Sequence, residues 1–250
     1  LRYEAELAYL RGDFARTLAC FNQAEGDAAR LHTSAVAIAA AISTGDYRAY
    51  TQIDAYLKSC AKAQKGCDAS VAATAELALA AAAVSVIAPN MVPEWLREGD
   101  LGALLPPLRI FALYLRAKYF QCTGRHEAML NVAQSALAVA EPEHGISPTA
   151  LYLRIACAMA CHSLGRQDDA RRYLLEAMRV ALPHGFITPF AEVVATLGGL
   201  VEECLAREFP ASYGAVLAQW ERTFTNWVVF HNQFTKDNIT LVLTLREYHI

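Results

Sequence analysis

The sequence lacks the features that usually mark a protein that binds nucleic acid or nucleotides. Its 22 lysines and arginines are outnumbered by 25 aspartates and glutamates, so the net charge is −3 and no basic face stands out to neutralise phosphates. A glycine-rich phosphate loop is also missing, because the pair Gly198-Gly199 lies within a helical pattern and has neither the lysine nor the Ser/Thr of such a loop. We therefore expect neither direct contact with DNA nor nucleotide binding from this segment.

Residues for catalysis and metal binding are equally sparse. Among the seven cysteines, Cys157 and Cys161 lie one helical turn apart with His162 adjacent, but no second Cys/His pair completes four ligands. No Gly-x-Ser-x-Gly elbow occurs, and His144 and His184 each lie in a turn with proline and glycine. We expect no catalytic residue, no metal and no cofactor, and apolar cysteines in a reducing cytosol. An enzyme stays open only if Cys157, Cys161 and His162 bind metal.

A membrane anchor is not apparent either. Residues 69–88 contain one charge, Glu76, but they are mostly alanine, which is too weakly hydrophobic to drive insertion. A buried helix is the better interpretation. No secretory signal is visible, and the chain starts at Leu1 already in a helical pattern. We expect a cytoplasmic segment excised from a longer protein.

Alanine-rich helical runs joined by a recurring turn are what the sequence does contain. The chain is 55% hydrophobic and 19% charged, enough to bury a sizeable core. The turn recurs at Gly12, Gly45, Gly124 and Gly165, which are 33, 79 and 41 residues apart. This spacing is typical of helical-hairpin solenoids, and the longest gap indicates one repeat with a divergent turn. Glycine would end each first helix in the left-handed conformation, and a following aspartate would cap the second helix.

The hairpin around Gly165 shows the packing pattern. The helix after it has an apolar stripe at Ala170, Leu174, Ala177 and Ala181, similar to the tetratricopeptide pattern. The predicted fold class is all-α: a right-handed superhelical array of antiparallel helix hairpins, a tetratricopeptide-like solenoid, with a long C-terminal capping helix. The predicted segments are N-terminal repeats over 1–88, an insert over 89–107, C-terminal repeats over 108–209 and the capping helix over 210–235.

The insert over 89–107 is bracketed by prolines and contains a short amphipathic helix with Trp95 and Leu96. The bracketing predicts a loop that crosses the surface and the flexion point of the array.

The capping helix is rich in aromatic residues. They recur at Trp220, Phe224, Trp227, Phe230 and Phe234, which places them on one helical face. We favour a helix that covers the apolar edge of the last repeat. The alternative is a self-association face for a homodimer, made by Trp220, Phe224 and Trp227.

A ligand groove can be placed by counting back from the turn glycines. First helices of such hairpins usually line the concave face, which recruits peptides or ligands. The predicted groove residues are Tyr114, Lys118, Gln121, Tyr152, Ile155, Met159 and His162. Their hydroxyl, ammonium, amide and imidazole groups can hydrogen-bond a polar small molecule or a peptide backbone, although inter-repeat packing explains some of them equally well.

Three passages resemble the large LuxR-type, MalT-like bacterial transcription regulators. Residues 177–190 are similar to a junction late in the helical repeat domain of that family, and residues 93–124 also resemble its members. Residues 243–247, Leu-Thr-Leu-Arg-Glu, are similar to the opening of the LuxR-type DNA-binding helix–turn–helix. The resemblance implies that 236–250 is a linker with the start of a truncated DNA-binding domain, and that an ATPase module precedes Leu1.

The resemblance further implies a signal-sensing and interaction domain that binds a small effector or a partner protein. It would relay the signal to DNA only through a C-terminal head outside this chain. The alternative is a freestanding tetratricopeptide adaptor that binds peptides or partner proteins. In neither case do we expect the chain to bind a membrane.

Overall fold

The computed structural model describes residues 2–62, 69–140 and 146–236, and this part of the chain is helical without strands. The α-helices are α1 (Arg2–Leu10), α2 (Phe14–Asn22), α3 (Asp27–Thr44), α4 (Tyr47–Lys62), α5 (Ala69–Ser85), α6 (Glu94–Glu98), α7 (Pro106–Cys122), α8 (His126–Ala140), α9 (Pro148–Ser163), α10 (Gln167–Ala181), α11 (Thr188–Ala191), α12 (Leu200–Glu208) and α13 (Pro210–Thr235). Short 3₁₀ turns cover Pro89–Met91 and Leu182–His184. Within these ranges no helix has the length and apolar character needed to cross a bilayer. The sequence predicts a linker and the start of a DNA-binding domain over 236–250. Residues 237–250 lie outside the described residues.

The predicted turns join sequence-adjacent helices. Gly12, Gly45, Gly124 and Gly165 all have positive φ angles of 69–79°, so each ends its helix in the left-handed conformation. Asp13 and Asp46 follow two of these glycines, and each carboxylate accepts a backbone N–H of the next helix at 2.9 Å. The prediction of helical hairpins is confirmed in these turns.

The divergent turn lies at Ile87. Its N–H bonds to the Val84 carbonyl, and the next N–H, of Ala88, bonds to the Ala83 carbonyl. Gly45 and Asp46 make the same pair of bonds to Ile42 and Ala41. Ile87 therefore takes the glycine position with a φ of +54°, a strained conformation for a β-branched residue. The sequence could not show this, because no glycine marks the turn.

The helices form two layers. The first helices of successive hairpins, α1, α3, α5, α7 and α9, pack side by side, and α2, α4, α8 and α10 pack against them. Of these two groups, the first contributes residues to the central cavities described below, and no described residue of the second does. The first group is therefore the inner layer, and the second is the outer layer.

The insert takes the place of a second helix after α5. The predicted short helix is confirmed as α6, but the prediction of a surface-crossing loop is wrong for its apolar residues. Val92, Leu96 and Leu104 are buried in a cluster with α5 and α7, and Trp95 Nε1 donates a hydrogen bond to the Glu76 carboxylate at 2.6 Å. Because this hairpin has no full second helix, its apolar face is covered by the insert.

The predicted terminal helix is confirmed as α13, but it covers more than the last repeat. It packs on α11 and α12 and also on α3, near the other end of the array. Asn226 Nδ2 donates to the Ser43 carbonyl at 3.0 Å, and Trp227 Nε1 donates to the Ser85 carbonyl at 2.6 Å. The array is thereby closed by a helix that joins its two ends.

A buried chain of hydrogen bonds completes this closure. Gln219 Nε2 donates to Thr188 Oγ1 at 2.8 Å, and Thr188 Oγ1 donates to the Tyr9 carbonyl at 2.6 Å. These bonds link α13, α11 and α1. Gly12 lies so close to Gln219 that a Cβ atom there would be 2.1 Å from Oε1.

Gly12→Ala and Gly124→Ala form a matched test of this closure. Both add a Cβ at positive φ, which costs about 1 kcal/mol. Gly124 has open space beside it, whereas Gly12 faces the buried Gln219 amide. We expect Gly124→Ala to lower the free energy of unfolding by about 1 kcal/mol and Gly12→Ala by about 2 kcal/mol. Urea denaturation measures both; equal losses would contradict tight packing of α13 on the first turn.

Candidate ligand-binding site

The inner helices surround two adjoining cavities. The C-end chamber, of about 180 Å³, is lined by the C-terminal parts of the inner helices, residues 191–196 and α13. The N-end chamber, of about 340 Å³, is lined by the N-terminal parts of the same helices. Both chambers share these wall residues: Tyr9, Ala39, Val84, Ser85, Tyr114, Tyr152 and Glu192. The inner helices α3, α5, α7 and α9 run parallel, since each contributes residues nearer its N-terminus to the N-end chamber and residues nearer its C-terminus to the C-end chamber.

Six of the seven predicted groove residues line the C-end chamber. They are Tyr114, Lys118, Gln121, Tyr152, Ile155 and Met159. His162 is absent from its wall; its Nδ1 lies 3.1 Å from Gln167 Oε1 on the next helix. The structure therefore brings α7 and α9 side chains together as the helical spacing suggested, but His162 lies beyond the chamber.

Lys118 is the cation of the C-end chamber. Burial lowers the pKa of this ammonium group, although the nearby Cys122 thiol and Glu192 carboxyl act in the opposite direction. Its Nζ donates to the Gln121 side-chain oxygen. Among the described residues no carboxylate forms an ion pair with it. The side chain is thus half-buried in the chamber wall, with the Gln121 oxygen as its one hydrogen-bond acceptor among the described residues.

Glu192 is the anion between the two chambers, and sequence reasoning did not find it. Burial raises the pKa of its carboxyl, while hydrogen bonding from Tyr9, the Lys118 charge and hydrogen bonding from Tyr152 oppose the shift. Its side chain has considerable accessible surface, and it lines both chambers. The one available signal was a single charge in the apolar run over 186–197.

The tyrosines around Glu192 are neutral donors. Tyr9 Oη donates directly to the Glu192 carboxylate. Burial, with the Glu192 charge next in size, raises the pKa of Tyr9, Tyr114 and Tyr152 above the usual tyrosine range. All three hydroxyls therefore keep their protons at neutral pH and can serve as hydrogen-bond donors.

The α13 aromatics form another wall of the C-end chamber. Phe224 and Trp227 are stacked with ring centroids 5.9 Å apart, and the Trp220 ring lies 5.7 Å from Phe224. All three line the chamber, and Trp220 is only 3% exposed. The structure places Trp220 inside the chain and not on an outer face, so the predicted self-association face would have to form without it.

No protein-family model, curated protein or solved structure matches this chain. The resemblance to LuxR-type regulators stays a prediction.

The cysteine pair in α9 is part of the core. Cys157 and Cys161 are buried among apolar residues, and burial raises the pKa of the Cys157 thiol to about 12. A neutral, buried thiol is a poor nucleophile and a poor metal ligand. In the described ranges no three His, Cys, Asp or Glu residues cluster as metal ligands would.

Lys118→Met provides a test of how strongly the chamber disfavours its cation. Methionine keeps the length of the side chain and removes the charge, so we expect the free energy of unfolding at pH 7 to rise by about 1–2 kcal/mol. The folded-state pKa of Lys118 lies below its usual 10.5. The charge of Lys118 therefore lowers the free energy of unfolding by its full amount below the folded-state pKa. This loss disappears as the pH approaches 10.5.

Urea denaturation of both proteins between pH 7 and pH 10 measures this gain. The gain should shrink as the pH rises. A Lys118→Met variant that is less stable than the parent at pH 7 would mean that the ammonium group supports the fold.

Proposed function

We propose that this chain is a sensor that binds a small molecule in the C-end chamber. The carrying observation is Lys118, a partly satisfied ammonium group in the wall of a cavity that Glu192 and three tyrosines also line. An enclosed charge destabilises a fold unless a partner compensates it. Such a group at a cavity is more readily explained by a ligand than by packing.

The strained turn at Ile87 supports the same interpretation. Ile87 also lines the C-end chamber, and its left-handed backbone is the position that glycine takes in the other turns. Strained conformations of this kind cluster at ligand sites, where the surrounding structure holds them in place.

The closure of the array suggests how binding would be transmitted. A ligand in the C-end chamber would touch the inner helices, residues 191–196 and α13 together. If it prefers the closed array, it shifts the population toward the docked position of α13. In our proposal α13 relays this state to a LuxR-type DNA-binding head that follows in the full-length regulator.

We include in this proposal that the fold is a tetratricopeptide-like, right-handed superhelical array and that the protein lies in the cytoplasm.

The rival function is a peptide-binding adaptor. A chamber of about 180 Å³ with α13 across it is small for a peptide, and it resembles in size the cavities that hold a single ring-sized molecule. The geometry therefore favours the small molecule.

A thermal-shift screen against small metabolites and short peptides tests the proposed function. A ligand that binds only the folded state raises the melting temperature by mass action. Thr196 lines the chamber and its side chain has accessible surface. The larger indole of Thr196→Trp is therefore expected to occupy the chamber. Thr225→Trp adds the same side chain at an exposed position of α13 that does not line the chamber.

The expected result is a metabolite that stabilises the parent and Thr225→Trp but not Thr196→Trp. Stabilisation by peptides alone would overturn the proposal in favour of the adaptor. The absence of any stabilising compound would also contradict it.

A further inference from the structure

We propose that the ligand of the C-end chamber is a small monocarboxylic acid with a ring-sized apolar body, an aryl carboxylate. This inference rests on the proposed function and specifies its ligand. The acid group would pair with Lys118 and Gln121, and the ring would lie against the α13 aromatics.

The charge of the ligand follows from the donors that remain free. An ammonium group has three N–H donors, and Lys118 uses one on the Gln121 side-chain oxygen. The Gln121 amide group, which also lines the chamber, adds N–H donors beside it. Ammonium and amide donors side by side are complementary to a carboxylate, whose two oxygens accept hydrogen bonds.

Glu192 already has a hydrogen-bond donor within the protein. Tyr9 donates to its carboxylate, and Tyr152 lines the same two chambers. Lys118, in contrast, has no ion-pair partner among the described carboxylates. A ligand carboxylate would give its ammonium group that anionic partner.

The position of the chamber limits the ligand to one negative charge. The last turns of α3 and α5 reach the chamber through Ser43 and Ser85, and the last turn of a helix carries partial negative charge. Among the wall residues that the structure describes, Lys118 is the one lysine or arginine. A phosphate dianion would bring a second charge with no second cation, so a monoanion is the better match.

The size and walls of the chamber specify the rest of the molecule. About 180 Å³ is slightly more than the roughly 150 Å³ of an engineered cavity that binds benzene. The stacked Phe224 and Trp227 rings, with Ile155 and Met159, offer an apolar wall for one ring. A single aromatic ring with a short acid group fills this space.

Isothermal titration calorimetry with five ring-sized probes tests the inference. The probes are benzoate, phenylacetate, benzyl alcohol, benzylamine and phenyl phosphate. We expect benzoate or phenylacetate to bind at least tenfold more tightly than the other three. Lys118→Met should weaken carboxylate binding at least tenfold and change benzyl alcohol binding less than threefold. Lys58→Met removes an exposed lysine of α4 that pairs with Asp54 at 2.7 Å, and it should leave every affinity unchanged.

The outcomes separate the two proposals. Equal affinity for benzoate and benzyl alcohol, or full carboxylate binding by Lys118→Met, would overturn the inference while leaving a ligand site in the chamber. If no ring probe binds but another metabolite stabilises the parent and not Thr196→Trp, the inference is wrong and the proposed function stands. If neither the probes nor the metabolites bind, both are wrong.

Discussion

Leu96→Ala is expected to lower the free energy of unfolding by about 3 kcal/mol. Leu96 is completely buried between α5, α7 and the insert, so alanine loses the transfer free energy of the leucine side chain and leaves a cavity. Such substitutions in well-packed cores cost roughly 2.7–5 kcal/mol. Equilibrium denaturation in urea, with circular dichroism as the signal, measures the loss.

Met91→Ala is the matched control in the same insert. Met91 is 48% exposed, so we expect its substitution to cost no more than about 0.5 kcal/mol. Similar small losses from both variants would show that the insert is loosely attached. In that case residues 89–107 would be the flexion point that the proline bracketing predicts.

The insert shows what local patterns can and cannot predict. The bracketing prolines and the amphipathic pattern that contains Trp95 and Leu96 were enough to predict a short helix, because these signals act within a few residues. They could not show that the insert is packed, since its burial depends on a missing second helix after α5. The divergent turn at Ile87 hid that fact, because the sequence has no glycine there.

The C-end chamber was predictable from one side only. Tyr114 and Lys118, like Tyr152 and Ile155, share a face because the helical period fixes it once the turn glycine is known. Glu192 and the α13 wall reach the same space through contacts that span much of the sequence, such as the bond from Tyr9 to Glu192. No local pattern contains such contacts.

The segment between α11 and α12 was predicted wrongly for a related reason. Gly198 and Gly199 read as part of a helix, but their φ angles are +51° and +89°, and the chain turns there. The preceding turns hold Glu192 at the chambers.

Thr188→Val is expected to lower the free energy of unfolding by about 3 kcal/mol. Valine has nearly the same shape as threonine but cannot accept the bond from Gln219 or donate to the Tyr9 carbonyl. The Gln219 amide would then be buried with its Nε2 unpaired, and its Oε1 has no hydrogen-bond partner already. A buried donor without an acceptor costs about 1–3 kcal/mol beyond the lost bond. Thr51→Val, at an exposed position of α4, should change stability by no more than about 0.5 kcal/mol.

A double-mutant cycle with Gln219→Met separates this bond from general damage to the core. Methionine matches the length of glutamine and has no amide to satisfy, so the double variant should be more stable than Thr188→Val alone by at least about 1 kcal/mol. Additive losses would mean that Thr188 and Gln219 act independently, and that α13 is held to α11 by apolar packing alone. If closure of the array also organises the C-end chamber, Thr188→Val should weaken ligand binding and the double variant should recover part of it. Binding unaffected by Thr188→Val would show that the chamber forms without this link between α1, α11 and α13.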